Sequence, residues 1–553
     1  MTIDVFAEAL AKAGFEGDID STEASRDFYS HDASLFEVEP KLVVFPKNNE
    51  DLKRLVGVTN ICRSKIPGLS LTARGGGTCM SGGPINDSVI VDFSRYFNQM
   101  EGVSMTSAIA QSGVFYRNFE KESLKHQALL PSFPASREIA TIGGMVANNA
   151  GGEKSLEYGK TGNFVRHLDV VLADGQLYRL QALNRKQLAA KRVLKTYEGQ
   201  VYRETFELVD KNYEAIKAAK PKVTKNSTGY NLWDVWNRET GIFDLTKLFI
   251  GAQGTLGLIS SVGFKLVKDK PHSGVLVVFM KDFNRLGELI NTALAQKPSS
   301  FESFDNYTLS LSIKFFPYFR KTIGWWRLIK LGIQLLPDAF LLLSGIPKLV
   351  LLIEFTGQTG DEVGRKVHKM RQLLEPYNLM ALEEDSTEAK AWKYRIMRRE
   401  SFNLLRKKVK DKHTAPFIDD VVVPPEHLID FLPRLRQIIK KYKLMATIAG
   451  HMGDGNFHVI PLMELDKATE RAKLEPVMRE VNELVLSYGG SLSGEHNDGL
   501  VRGPWLAQMY GEDTLNLFRQ TKQIFDPAGI FNPHKKTDAN WSFSMSHIRR
   551  KYE

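Results

Sequence analysis

The stretch Leu71-Thr72-Ala73-Arg74-Gly75-Gly76-Gly77-Thr78-Cys79-Met80-Ser81-Gly82-Gly83, followed by the β-rich run Ser88-Val89-Ile90-Val91-Asp92-Phe93, sets the reading of the first half of the chain. Its five glycines in nine positions let the backbone approach a ligand closely and turn successive N–H groups toward an anion. Thr78 and Ser81 add hydroxyl donors. The implied ligand is a phosphate or pyrophosphate. Neither common phosphate fingerprint applies, because no Gly-Lys-Ser/Thr follows and the Gly-x-Gly-x-x-Gly spacing is not set in a simple strand–helix crossover. Taken alone, the run reads equally well as a flexible turn.

Its surroundings narrow that choice. Upstream, Leu42-Val43-Val44-Phe45-Pro46 reads as a short strand, and Asn48 or Asn49 as the cap of an amphipathic helix carrying Leu52, Leu55 and Val58. Downstream lie two more small-residue clusters, Ala140-Thr141-Ile142-Gly143-Gly144-Met145-Val146-Ala147-Asn148-Asn149-Ala150-Gly151-Gly152 and Gly251-Ala252-Gln253-Gly254-Thr255-Leu256-Gly257-Leu258-Ile259. Three such clusters embedded among strands suggest one long ligand laid against several backbones.

On those residues, together with Tyr158-Gly159, the strand Leu168 to Leu172 and Ala173-Asp174-Gly175, residues 38–270 resemble the FAD domain of the p-cresol methylhydroxylase / vanillyl-alcohol oxidase superfamily. The resemblance implies an α+β fold in which two subdomains clasp FAD. Arg74, Gly75, Gly76, Gly77, Thr78, Ser81 and Gly82 would hold the pyrophosphate. Thr141, Ile142, Gly143, Gly144, Asn148, Gly151, Gly159, Gly254, Thr255, Gly257 and Ile259 would line adenine, ribose and flavin. Some members tether the flavin through a His or Cys in the first loop. Thr78 stands where that His would be, so dissociable, non-covalent FAD is expected, with Cys79 as the one nearby thiol.

Composition limits the class of protein. The chain has 553 residues, 43% of them hydrophobic, enough for two to four domains. Two cysteines, Cys62 and Cys79, leave no disulfide framework, no thiolate zinc site and no ligands for an iron–sulfur cluster. The start, MTIDVFAEALAKAGFEGDID, lacks a basic leader and an apolar core, so a cytoplasmic location is expected. The net charge of +10 favours anionic partners. From Asn306 to Pro337 there is no Asp or Glu, while Lys314, Arg320, Lys321, Arg327 and Lys330 stand among Phe315, Phe316, Tyr318, Phe319, Trp325 and Trp326. This basic aromatic insertion, residues 313–346, reads either as an interfacial helix on anionic headgroups at the inner membrane face or as a cover helix packed on the protein's own core. No nucleic-acid motif accompanies it.

The second half turns on Gly450-His451-Met452-Gly453-Asp454-Gly455-Asn456-Phe457-His458, with apolar flanks on both sides. Strand, six-residue Gly/Asp/Asn loop, strand is the simplest reading. Such a hairpin brings His451 and His458 together, whereas on one straight helix they would lie roughly 10 Å apart. A Gly-rich turn with hydrogen-bonded histidines is the plain alternative. Farther on, Gly494-Glu495-His496-Asn497-Asp498-Gly499 places a metal-binding carboxylate beside a proton-accepting imidazole. With the hairpin, Glu495 completes a two-His, one-carboxylate set. In Trp392-Lys393-Tyr394-Arg395-Ile396-Met397-Arg398-Arg399 the arginines share a helical face, read as a carboxylate clamp or as a solvated surface.

The hairpin, the Gly-Glu-His loop and the closing Phe525-Asp526-Pro527-Ala528-Gly529-Ile530-Phe531-Asn532-Pro533 resemble the C-terminal domain of the FAD-linked D-2-hydroxy-acid dehydrogenases. The resemblance implies an antiparallel cap domain and a divalent metal, zinc or manganese, held by His451, His458 and Glu495. It further implies His496 as base, Asn456 on the substrate carboxylate, Arg395 then Arg399 as clamp, and Asn532 reaching the flavin. The expected division is a helical segment 1–37, an FAD domain 38–270, a cap domain 271–510 and a returning tail 511–553. Family members specific for D-2-hydroxyglutarate have a lysine where this chain has Ile418, which favours a D-lactate-like monocarboxylate. Electrons would pass to a separate acceptor, quinone or a carrier protein. A flavin oxidase or reductase acting on another alcohol, and a membrane-docked flavin scaffold without turnover, are the competing readings.

Overall fold

The structure is a computed structural model that describes residues 2–306, 347–377, 379, 381–385 and 412–550. The basic aromatic insertion and the arginines Arg395, Arg398 and Arg399 lie outside the described residues. Three sheets organise the rest, each backed by its own apolar core.

In the first sheet Leu42–Phe45, Val89–Asp92 and Leu71–Arg74 pair in parallel, and Asp18–Asp20 closes the edge antiparallel. Leu42–Phe45 and Val89–Asp92 are buried along their whole length, as parallel strands covered on both faces should be. The helix Asn49–Arg63 follows the first of them and is capped by Asn48, whose side chain accepts from the Asp51 N–H at 3.0 Å. The second sheet is antiparallel, ordered Met100–Glu101, Ser107–Gln111, Leu258–Lys265, Val165–Val171, Leu177–Gln181. All three glycine clusters border these two sheets: the first follows Leu71–Arg74, the second opens the helix Ile142–Asn148, and the third leads into Leu258–Lys265.

The third sheet is wholly antiparallel, in the order Ala381–Asp385, His272–Met280, Leu349–Gly357, Ser300–Asp305, Met445–His451, Asn456–Met463, His413–Thr414. The expected α+β architecture, two subdomains and an antiparallel cap sheet, is the one found. The tail returns to the first sheet, where Phe531 bridges Leu71 in parallel.

The expected hairpin is present, Met445–His451 against Asn456–Met463, but its loop is shorter than the six residues expected: Asn456 and Phe457 already pair, so His451 stands opposite Asn456 and Ala449 opposite His458. The two histidines therefore share a face, because their cross-strand offset is an even number of residues. The turn is a short 3-10 segment, Met452–Asp454, closed by Gly455 at φ +66, where a Cβ would lie 1.8 Å from the Val423 carbonyl oxygen. One apolar segment pairs less than its composition suggests. Phe417 to Pro424 has strand composition, yet only Val421–Val422 pairs. Asp420, at φ +68, interrupts the alternation that would send its side chain and that of Asp419 to opposite faces. Both carboxylates are buried.

Candidate active site

His451 ends one hairpin strand and His458 lies two residues into the other. Their rings stand 5.4 Å apart at 84°. Glu495 comes from the loop after the helix Leu474–Ser487. Its Oε1 lies 2.8 Å from His451 Nε2 and 3.6 Å from His458 Nε2. The opposite nitrogen of each ring meets a carboxylate: His451 Nδ1 and Glu302 Oε1 are 2.6 Å apart, and His458 Nδ1 and Asp419 Oδ1 are 3.1 Å apart. An acidic partner on Nδ1 turns the Nε2 lone pair toward the common point, the usual arrangement behind metal-binding imidazoles. Glu495 Oε1 is buried and makes no hydrogen bond of good geometry. The three ligand atoms fit one divalent ion, all lying within 4.8 Å of one another.

The electrostatics agree. Burial would raise Glu495, but the Lys225 ammonium and His451 hold it well below the ordinary carboxylate range. Burial would lower His458, but Asp419 and then Glu495 outweigh it and raise the ring to about 10. A cluster that holds a proton this firmly between an imidazole and two carboxylates has the charge distribution a cation would satisfy. His496 Nδ1 lies 2.6 Å from Asp419 Oδ2, and its ring stacks on His458 at 5.0 Å and 27°.

The loop that carries Glu495 and His496 is bonded to every glycine cluster. Ser81 Oγ donates to the His496 carbonyl at 3.1 Å, joining the first cluster. Asn497 Nδ2 donates to the carbonyls of Asn148 at 3.2 Å and Gly251 at 2.8 Å, joining the second and third. The Gly499 N–H donates to Gln253 Oε1 at 2.8 Å. A Cβ on Gly151 would stand 3.0 Å from Glu495 Oε2.

The glycine loop fits an anionic ligand. Among the described residues the backbone N–H groups of Gly76, Gly77 and Thr78 make no hydrogen bond. A Cβ on Gly75 would meet Thr141 Oγ1 at 2.0 Å, and one on Gly76 the Ile139 carbonyl at 1.9 Å, so the first two clusters interlock only because both positions are bare. Gly76→Ala is expected to cost about 1–3 kcal/mol through overpacking and to lower the flavin-to-protein ratio of the purified protein. Full flavin content with an unchanged melting temperature would contradict that placement.

Four expected site residues make hydrogen bonds within the protein itself. The buried Arg74 guanidinium donates to the carbonyls of Tyr29 at 3.2 Å and His31 at 2.9 Å, and lies over the Tyr29 ring; it ties residues 29–31 to the glycine loop. Asn532 has no exposed surface. Its amide donates to the carbonyls of Gly83 at 3.0 Å and Gln253 at 2.6 Å, and its oxygen accepts from Thr72 at 3.1 Å, so it joins cradle segments internally. Asn456 Nδ2 donates to Asp420 Oδ1 at 3.0 Å and the Val421 carbonyl at 3.3 Å, and the side-chain oxygen that remains is an acceptor unsuited to a carboxylate. Thr255 Oγ1 bonds Tyr230 Oη at 2.7 Å and the Ala252 carbonyl at 2.7 Å. Thr141 caps its helix by accepting from the Gly144 N–H. Ile142 and Gly143 open that helix, Gly159 follows the short helix Ser155–Tyr158, and Gly254 and Gly257 form the turns before Leu258–Lys265, whose second residue is Ile259.

The sequence reading missed Glu302, Asp419, Asp420, Lys160 and Lys225. Asp420 accepts from the backbone N–H groups of Glu495 at 2.9 Å and His496 at 2.7 Å, and from Ser493 Oγ. The buried Lys160 donates to the carbonyls of Asn226 at 2.7 Å and Gly494 at 2.6 Å. Lys225 Nζ lies 3.0 Å from Asp454 Oδ2 and 3.7 Å from Glu495 Oε1. The available signals were an acidic pair inside the apolar run Phe417 to Pro424 and the polar run Thr224 to Tyr230.

Residues 40–181 match the family model for the FAD binding domain, and residues 270–536 match that for the C-terminal domain of FAD linked oxidases. A D-2-hydroxyglutarate dehydrogenase of Pseudomonas putida is 28% identical over 537 residues, 96% of this chain and 51% of that protein. The chain thus spans about half the length of that relative. A D-lactate dehydrogenase of Archaeoglobus fulgidus is 26% identical over 517 residues, 92% of this chain and 95% of that one. Among solved structures, substrate-bound p-cresol methylhydroxylase superposes with a TM-score of 0.66 at 15% identity, covering 97% of this chain and 96% of that one.

Proposed function

We propose, for a chain that belongs to the flavoproteins in which an FAD binding domain precedes an FAD-linked oxidase C-terminal domain, that it oxidises a D-2-hydroxy acid of the D-lactate kind to the 2-oxo acid. The observation that carries the proposal is the loop Ser493 to Gly499, which presents Glu495 and His496 to the imidazole cluster while hydrogen-bonded to all three glycine segments. It brings the residues that would deprotonate an alcohol to the place where a flavin would be held.

Bound FAD supplies the hydride acceptor, and a bound zinc or manganese ion supplies the Lewis acidity that favours the alkoxide. His451, His458 and Glu495 would hold that ion. His496, with Nδ1 facing Asp419, leaves Nε2 to take the hydroxyl proton. Arg395 and Arg399 remain our candidates for the substrate carboxylate. The buried apolar Ile418 supports a monocarboxylate over a diacid. Non-covalent FAD is supported by Thr78 in the first loop and by the Cys79 thiol, which burial pushes above its ordinary value.

Electrons would leave to a separate acceptor, quinone or a carrier protein. We place the protein in the cytoplasm or on the inner membrane face, with residues 313–346 as the peripheral contact. No described helix is long and apolar enough to cross a membrane.

The test is anaerobic titration of the yellow protein with D- and L-2-hydroxy acids, before and after chelation and after zinc or manganese is restored. D-selective bleaching that fails after chelation and returns with the metal is expected. Bleaching indifferent to chelation would favour an oxidase that does not use the cluster. Bound FAD that no hydroxy acid reduces would leave a flavin scaffold.

A further inference from the structure

The geometry points to Asp419 as a positioning residue shared by the metal side and the proton-accepting side, one carboxylate oxygen orienting His458 and the other orienting His496. The inference rests on the function proposed above. Asp419 has no exposed surface. Its Oδ1 lies 3.1 Å from His458 Nδ1 and its Oδ2 2.6 Å from His496 Nδ1. The two rings are nearly parallel, 5.0 Å apart, and hang from the carboxylate side by side.

An ionised carboxylate only accepts hydrogen bonds, and a neutral imidazole has one N–H and one lone pair. Facing Asp419, both rings must carry the hydrogen on Nδ1. In the neutral form that a bound cation would require, both Nε2 atoms then hold lone pairs, one 3.6 Å from Glu495 Oε1 where the cation would be ligated, the other available for a substrate proton. The tautomer that makes His458 a ligand and the tautomer that makes His496 a base are thus set together.

The backbone holds Asp419 in place. Its carbonyl accepts from the buried Arg502 guanidinium, which also donates to the Asn497 carbonyl at 3.0 Å. The adjacent Asp420 fixes the loop backbone at Glu495 and His496. Asparagine at 419 cannot substitute: an amide offers one acceptor and one N–H₂ group, so one ring has to shift its hydrogen to Nε2 and lose its function.

Asp419→Asn and Asp419→Glu, the latter keeping the charge but moving both oxygens, test this in the FAD-loaded protein. Metal affinity is read by chelator competition with zinc and by metal content, without substrate. The rate of flavin reduction is read at saturating zinc. Both variants should retain FAD, bind zinc about 10–100-fold more weakly, and remain slower than wild type when zinc saturates. Combined with His496→Ala, Asp419→Asn should weaken zinc binding but slow reduction no further.

Wild-type affinity and rate in both variants would overturn the inference. So would full recovery of rate at saturating zinc, which would confine Asp419 to the metal side. Two ions per chain would also overturn it, because Asp419, His458 and His496 would then ligate the second. If the wild type neither binds zinc nor bleaches, the proposed function falls and takes this inference with it. If the wild type does both and the variants match it, only the inference falls.

Discussion

In His496→Ala, anaerobic reduction of bound FAD by a D-2-hydroxy acid is expected to slow by about 10²–10⁴-fold, the span typical for loss of a general base, while flavin and metal content stay at wild-type levels. The separation follows from how residue 496 is held. Its backbone N–H donates to Asp420 at 2.7 Å and its carbonyl accepts from Ser81 at 3.1 Å. Removing the ring therefore leaves the loop, and with it Glu495, in place. Rapid-mixing absorbance of the flavin measures the step directly. A wild-type rate would remove His496 from the reaction. Loss of the metal along with the rate would show the ring to be a ligand instead of a base.

Metal affinity should depend steeply on pH. His458 is raised to about 10, so below that value an incoming ion has to displace a proton from the ring. The apparent association constant should climb about tenfold per pH unit from neutrality toward pH 10, roughly 100-fold over two units. Chelator competition at several pH values reads the slope, and a flat profile would place the ion away from His458. The metal-free protein responds with the opposite sign. A ring whose folded value lies above its unfolded value of 6.5 contributes stability that is full below about 6.5 and fades as pH rises toward 10. Alkaline conditions thus take stability from the metal-free cluster and favour its metal-bound form, which melting curves with and without zinc resolve.

Much of the fold was legible because its signals are local. Asn48 before an apolar stripe, the Gly455 turn between two β-rich runs and three small-residue clusters each constrain the backbone within about ten residues. That a hairpin brings His451 and His458 together was equally readable, but the register was not, because the loop is shorter than its Gly/Asp/Asn composition suggests. Distant partners were not. Glu302 reaches His451 from a neighbouring strand, and Asp419 meets His458 and His496 from segments 39 and 77 residues away. No periodicity encodes those pairings. Arg74, Asn456 and Asn532 likewise have partners far away in sequence that no local pattern announces.

The loop from Ser493 to Gly499 also joins two equilibria. Because the segment that would ligate the cation is bonded to each segment that would embrace the flavin, ordering either end helps to order the other. Thermodynamic reciprocity then requires that whatever factor the flavin adds to cation affinity, the cation returns to flavin affinity. Such a protein would acquire its two cofactors cooperatively.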